Sequence, residues 1–362
     1  MADITASRRV RRTPFTPGVE AAGVRGYTVY NHTLLATRFG HDFVDDYHHL
    51  KRHVQVWDVA CERQVSVRGP DAGHLMQLIS PRDLGRMADD QCYYIPIIDR
   101  AGGMLNDPVA VKHSRDHFWL SIADGDLLQY LLGVADALGF NVEIDEPDVS
   151  PLAVQGPRAD DLMARVFGDA VRDIRFFRYR RLPFEGHEMV VARSGWSKQG
   201  GFEIYVDDFD LGMPLWNRLF EAGEDLEVRA GCPNLIERVE GGLLSFGNDM
   251  TRENTPFEAG LGKFVNSPAN YLGKAALLAR PARRMIRPLA IAGDLPPCDR
   301  LWPVLAGGRQ VGQVTSAVHS PDFGINVAIG MIGDSHWDAG AKVEVETQDG
   351  MRDAVVQAKF WI

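Results

Sequence analysis

The chain has 362 residues, more than one compact core usually needs, so two or more domains are expected. Apolar residues make up 45% and charged residues 24%, a globular composition, and the net charge of −10 argues against a nucleic-acid partner, whose phosphates select a basic face. No apolar run approaches the roughly 18 residues that cross a bilayer, and the N-terminus has no apolar core of a secretory signal, so a cytoplasmic protein without a membrane partner is expected.

The one dense basic run, Arg8, Arg9, Arg11 and Arg12, reads as a solvated arm or a subunit contact rather than a nucleic-acid arm, and it leaves a homodimer open. The four cysteines, Cys61, Cys92, Cys232 and Cys298, form no CxxC pair. Reduced thiols are expected, with no zinc site and no disulfide framework.

Along the chain, Val54 to Val59 and Gln64 to Arg68 read as strands, and Asp71 to Ile79 as a short helix with Leu75, Leu78 and Ile79 facing inward. Tyr93 to Ile98, Met104 to Lys112 and His117 to Ile122 read as three strands separated by turns. Asp124 is a candidate N-cap for a helix from Leu127 to Ala137. A second unit of the same kind follows: a strand at Leu152 to Val154, a helix at Arg158 to Phe167, strands at Glu188 to Arg193 and Phe202 to Val206, and a helix at Leu215 to Ala222. This irregular order predicts α+β layers rather than a doubly wound sheet. Arg280 to Arg284 resembles a linker. Beyond it, short strand candidates at Arg287 to Ile291, Val311 to Thr315, Asn326 to Met331, Lys342 to Glu346 and Ala354 to Gln357 predict a small all-β unit of about five or six strands. The predicted division is 1–145, 146–280 and 281–362.

Three stretches carry residues that core packing does not demand. In Gly102 to Val109, Asp107 interrupts an apolar strand. An unpaired buried carboxylate is costly, so Asp107 needs a reason, although a strand-edge aspartate is more often a turn or cap residue. In Ser194 to Val206, three glycines permit close backbone approach to a flat ligand, and period-two alternation puts Glu203 and Tyr205 on one strand face. Glu203 could accept two hydrogen bonds from a planar N–C–NH2 edge such as guanine or pterin carries, and Trp196 could cover a ring or a cation; a Gly-rich hairpin with an exposed Glu fits equally. In Glu237 to Asp249, Arg238 could clamp a carboxylate or form an ion pair with Glu237 or a neighbour. His48, His49 and His53 have helical spacing but no HExxH arrangement, which favours a structural or surface role over a metal site.

Taken together and in order, Gly102 to Val109, Leu152 to Pro157, Gly195 to Ile204 and Arg238 to Asp249 resemble the aminomethyltransferase (glycine-cleavage T-protein) family over nearly the whole chain. Within it, Tyr27 to His32, His53 to Val59, Leu105 to Val109, Ser194 to Gly201 and Gly231 to Arg238 resemble the dimethylsulfoniopropionate demethylases more than the glycine-cleavage proteins. The resemblance implies two related α+β units in a three-domain disc around a central folate channel, closed by a C-terminal small β-barrel. It also implies methyl transfer from dimethylsulfoniopropionate to tetrahydrofolate, with no metal required.

Carried over by position, Asp107 matches the family's essential carboxylate beside the reacting pterin nitrogen. Tyr94, Val154, Gln155, Glu203 and Arg238 match folate-associated positions, with Glu203 as the pterin anchor. Tyr30, Ser121, Trp196 and Tyr205 match positions near the sulfonium substrate, where Trp196 and Tyr205 would act by cation–π contact. Departures are Asn106-Asp107 for an Asp pair, Trp196-Ser197-Lys198-Gln199 for Tyr-Thr-Gly-Glu, and Phe246 for a tyrosine before Gly247-Asn248-Asp249. They put lipoyl-protein chemistry in doubt. Another folate-dependent demethylase, acting on a betaine, a methylamine or a methoxy-arene, and a non-catalytic folate-binding scaffold stay open as alternatives.

Overall fold

The computed structural model describes residue 7 and residues 9–362. Arg8 of the basic run lies outside the described residues. Arg11 pairs with Glu146 at 2.5 Å and Arg12 with Glu20 at 2.9 Å, so these two cations are engaged rather than solvated alone.

The chain forms two compact units. The first comprises the residues up to Gly73, Met87–Tyr94 and Pro108–Asn234; the second comprises His74–Arg86, Ile95–Asp107 and Leu235–Ile362. These interleaved units differ from the three consecutive segments predicted. Sheet pairing crosses the predicted boundary at 145, because Val54–Asp58 pairs with Ser150–Gln155.

Besides the hairpin Gly26–Tyr30/Thr33–Arg38, the first unit holds two larger sheets. One is five-stranded and antiparallel, in the order Glu143–Asp145, Gln64–Arg68, His117–Ser121, Val109–Ser114, Gln91–Tyr94. The other is six-stranded, in the order Tyr179–Phe184, His187–Ala192, Gly201–Val206, Ser150–Gln155, Val54–Asp58, Val228–Gly231, with only the last pair parallel.

Alternation divides the side chains of the six-stranded sheet between two cores. Val54, Val56, Leu152, Val154, Phe202, Ile204 and Val191 pack with Leu162 and Met163 of helix Ala159–Phe167 and with Leu215 and Leu219 of helix Gly212–Ala222. From the opposite face, Tyr179, Val190, Ala192 and Tyr205 pack with Cys92, Val111 and Trp119 of the five-stranded sheet.

Two predicted strands are each broken in two, and both breaks fall at prolines. Tyr93 to Ile98 becomes Gln91–Tyr94 and Ile97–Ile98 on either side of Ile95-Pro96, and Met104 to Lys112 becomes Met104–Asn106 and Val109–Ser114 on either side of Asp107-Pro108. Proline has no N–H to give a ladder, so each run ends there, and at both places the chain passes from one unit to the other.

Asp124 does not cap the helix Leu127–Leu138. Asp126 precedes that helix without a side-chain cap bond, and the Asp124 carboxylate instead accepts the backbone N–H of Asn31 at 2.8 Å. Asn31 and His32 form the hairpin turn between Gly26–Tyr30 and Thr33–Arg38 with φ of 49° and 59°, a left-handed pair suited to a two-residue hairpin.

In the second unit, six strands close into a barrel in the order Arg284–Ile291, Ile325–Gly333, Arg309–Ser320, Trp302–Ala306, Lys342–Thr347, Gly350–Val356. The sequence reading found five of them. It missed Trp302–Ala306, whose Pro303 and brevity hide the strand pattern. Leu289, Trp302, Val304, Val314, Val343 and Val345 fill the barrel core. Among the described residues no helix is long and apolar enough to cross a membrane.

At the end of Val54–Asp58, the Asp58 carboxylate is buried and accepts hydrogen bonds from Thr13 Oγ1 (2.6 Å) and the Ala60 N–H (3.2 Å). Burial outweighs these bonds and pushes its pKa up to about 6. A raised folded-state pKa stabilises the fold below the ordinary carboxylate range, and that contribution is lost as pH rises through about 6. Asp58→Asn has no such charge. Relative to the parent protein, its stability should therefore improve by about 2 kcal/mol between pH 4 and pH 8 in urea unfolding. Identical pH dependence of the two proteins would exclude this role for Asp58.

Candidate active site

Glu203 sits in the middle of Gly201–Val206 on the face that looks toward the five-stranded sheet, and it is only 7% exposed. Its carboxylate accepts a hydrogen bond from Ser194 Oγ, and burial raises its pKa while that bond opposes the rise. A carboxylate offers about four acceptor positions, and Ser194 uses one. A ligand edge with two adjacent N–H groups, such as a pterin carries, would take two of the others, so Glu203 has the acceptor chemistry such an edge requires.

Tyr205 shares this face, as the alternation predicts, but its surroundings differ from the sequence reading. Its ring is 1% exposed and belongs to the core between the sheets, with Trp119 at a centroid distance of 6.3 Å. The ring is therefore packing and not a wall open to a sulfonium, because the second sheet covers the face that the strand pattern leaves open. Burial, with Glu203 and Cys92 adding to it and Ser121 opposing it, holds the pKa of its hydroxyl well above the usual phenol range.

Ser121 is also interior. Its Oγ accepts from Gln64 Nε2 at 2.9 Å and donates to Glu62 Oε2 at 3.2 Å. Tyr94 is half-buried and shares a strand face with Cys92, two residues before it, which is buried in the same inter-sheet core. Tyr30 is half-buried at the hairpin end, and Trp196 is half-buried in the glycine loop. Val154 is fully buried in the helix-side core, so its side chain packs and does not line a ligand site.

Two of the loop glycines are approached closely by the protein itself. A Cβ at Gly195 would lie 2.2 Å from Gln155 Nε2 and Oε1, and one at Gly201 would lie 2.2 Å from the Val154 carbonyl oxygen. Their φ values, 146° and 140°, are also unsuited to a larger residue. The sequence left these glycines open between close approach of a flat ligand and a Gly-rich hairpin; in the structure Gln155 and the neighbouring strand already require them.

Asp107 and Arg238 belong to the second unit. Asp107 is 9% exposed and follows Met104–Asn106, and its N–H donates to Asn106 Oδ1 at 3.1 Å. Arg238 lies on the short helix Leu235–Gly241 and is 6% exposed. It donates to Asp249 Oδ2 at 2.5 Å, to the Leu243 carbonyl at 3.0 Å and to Ser316 Oγ. Asp249 also accepts from Thr315 Oγ1 (2.6 Å), Ser316 Oγ (2.8 Å) and the Ser245 N–H (2.8 Å). Arg238 is thus a brace between the Gly-Asn-Asp turn and the barrel strand Arg309–Ser320. Its ion-pair partner Asp249 lies eleven residues on, a pairing that residue spacing does not reveal.

Sequence reasoning also missed Ser194, Gln64 and Glu62 as polar neighbours of the predicted residues. Ser194 directly precedes the glycine loop, which was its only signal. His49, read as structural or surface, is buried beside the Glu227 carbonyl, with Nε2 at 2.8 Å; burial lowers its pKa to about 4, which keeps it neutral. Among the described residues, no group of three or more His, Cys, Asp or Glu is arranged to hold a metal ion.

A family model described as the GCVT N-terminal domain matches residues 19–268, and one described as the glycine cleavage T-protein C-terminal barrel domain matches residues 284–361. The chain belongs to the glycine-cleavage T-protein family. Among its relatives, a protein of Ruegeria pomeroyi named dimethylsulfoniopropionate demethylase DmdA is 72% identical over 365 aligned positions that cover 100% of both chains. An aminomethyltransferase of Caldanaerobacter subterraneus is 26% identical over 87% of each chain. The crystal structure of the glycine cleavage system aminomethyltransferase T from Bartonella henselae matches with a TM-score of 0.86 over 98% of each chain at 21% identity, which establishes the shared fold: an N-terminal α+β part and a C-terminal closed barrel.

Removing one partner of a fully buried ion pair leaves the other charge stranded, at a cost of about 3–5 kcal/mol. Arg238→Ala and Asp249→Ala should each destabilise the fold by about that amount in chemical unfolding, and the double variant should cost clearly less than the sum of the two. Additive losses would remove the brace.

Proposed function

We propose that this protein demethylates dimethylsulfoniopropionate with tetrahydrofolate as the methyl acceptor, giving 3-(methylthio)propanoate and 5-methyltetrahydrofolate. The observation that carries this reading is the end-to-end 72% identity to the Ruegeria pomeroyi demethylase, against 26% to the aminomethyltransferase of Caldanaerobacter subterraneus. The buried carboxylate at Glu203 supports it from the chemistry of the site. We place the reaction in the cytoplasm.

When bound, tetrahydrofolate supplies nitrogen 5 as the acceptor. The carbon–sulfur bond of the sulfonium breaks with its electron pair left on sulfur, so the leaving group is a neutral thioether and needs no acid. The task of the residues is alignment, which contributes about 7–11 kcal/mol in favourable cases.

Glu203, aimed by Ser194, anchors the pterin edge. Asp107 orients the acceptor and stabilises the positive charge that develops there, and its carboxylate is the base for the proton then lost. Trp196 covers the sulfonium, a contact worth about 0.5–2 kcal/mol. Tyr30, Ser121 and the Tyr205 hydroxyl are assigned to the substrate end, and Tyr94 to folate.

Anaerobic incubation with both substrates should yield 3-(methylthio)propanoate; its absence at high enzyme concentration would refute the substrate assignment. Asp107→Asn should lower turnover by about 100-fold while leaving tetrahydrofolate affinity nearly unchanged. Glu203→Gln should do the reverse, weakening tetrahydrofolate binding by at least about tenfold in equilibrium titration. Unaltered turnover in Asp107→Asn would remove that residue from the mechanism.

A further inference from the structure

We infer that Gln155 is a positioning residue: a buried amide staple that holds the Ser194 to Phe202 loop in shape and thereby aims Ser194 at Glu203 and fixes Trp196. Gln155 is 1% exposed at the end of Ser150–Gln155. Its Nε2 lies 3.2 Å from the Ser194 carbonyl, 3.3 Å from the Phe202 carbonyl and 3.3 Å from the Val154 carbonyl. Its Oε1 accepts a hydrogen bond from Ser197 Oγ at 2.7 Å. An amide has two N–H donors, and three carbonyls share them, so no donor is left for a ligand. The contacts fall at the start, the middle and the end of the loop, and Ser197 Oγ in turn accepts the Gln199 N–H at 3.2 Å.

The loop is built around this amide. Any side chain at Gly195 would overlap it, and a Cβ at Gly201 would lie 2.8 Å from its Nε2. The glycines and the glutamine therefore require one another: without a Cβ at 195 and 201 the amide fits, and without the amide the Ser194 carbonyl loses the donor that Gln155 supplies and Ser197 Oγ loses its acceptor. The consequence for the site runs through Ser194. Its carbonyl is tied to Gln155, and its hydroxyl donates to Glu203. Freeing the carbonyl lets the hydroxyl drift, and Glu203 then loses the one bond that opposes the effect of burial on its ionisation.

The consequence for folate rests on the proposed function; the staple itself does not. Two variants test both, Gln155→Ala and Ser197→Ala, the second removing a single bond. In the ligand-free protein, hydrogen exchange of the amides of residues 195–200 should rise by about tenfold or more in Gln155→Ala and by less in Ser197→Ala. Tetrahydrofolate affinity should fall by about tenfold in Gln155→Ala, and the pH midpoint of binding should move upward, because Glu203 then ionises later. Loss of packing alone would lower affinity without moving that midpoint.

Loop exchange within about twofold of the parent in both variants overturns the staple. An unmoved pH midpoint overturns the link to Glu203. If Gln155→Ala does not fold, Ser197→Ala decides both points by the same measurements. If the parent protein binds no tetrahydrofolate, the proposed function fails, and the exchange data still decide the staple.

Discussion

A carboxylate inside a two-sheet core is the constraint around which the first unit is arranged. Transferring an ionised group out of water is affordable only when hydrogen bonds replace its hydration. Glu203 lies on a strand with every residue buried, and the donor it receives comes from Ser194, nine residues earlier in the chain. To bring that hydroxyl into place, the connection between His187–Ala192 and Gly201–Val206 must turn back sharply. Glycines at 195 and 201 permit the turn, and Gln155 from the next strand holds its backbone carbonyls. One buried carboxyl group thus constrains residues on two neighbouring strands and the loop beside them.

The second unit solves a similar problem by pairing charges. Arg238 and Asp249 are both nearly inaccessible, and five further hydrogen bonds with Thr315, Ser316, the Ser245 N–H and the Leu243 carbonyl complete their shells. The ion pair ties a short helix and a turn to a barrel strand. A helix of seven residues has little stability of its own, so such a tie matters more than helical propensity there. The two arrangements differ in their partners. The Arg238 fork is engaged by Asp249, Leu243 and Ser316, whereas Glu203 accepts from Ser194.

Much of the candidate site was legible as segments and much less as roles. The motif stretches at 102–109, 152–157, 194–206 and 237–249 are where the structure concentrates buried polar groups, because polar residues among glycines in apolar strands are costly to keep without a use. Roles depend on what covers each face. Val154 and Tyr205 sit on opposite faces of adjacent strands, and both side chains prove to be core, one under helices and the other under a second sheet. Gln155 lies among predicted ligand contacts yet spends its donors on carbonyls. Asp124 had the position of a helix cap and instead secures the hairpin turn at Asn31.

Periodicity, proline placement and glycine spacing are local, and they determined what is local in this protein: most strands and helices within a few residues, the α+β character, the barrel after residue 284, and the alternation that puts Glu203 and Tyr205 on one face. The ordered motifs determined the family. Contacts between residues far apart in the chain were decided by tertiary structure alone: the pairing of Arg238 with Asp249, the joining of Val54–Asp58 to the later strands, and the second sheet that buries Tyr205. Strand order and burial depend on which faces meet, and no local pattern records that, because each strand's alternation is equally consistent with a face open to solvent and a face covered by another layer.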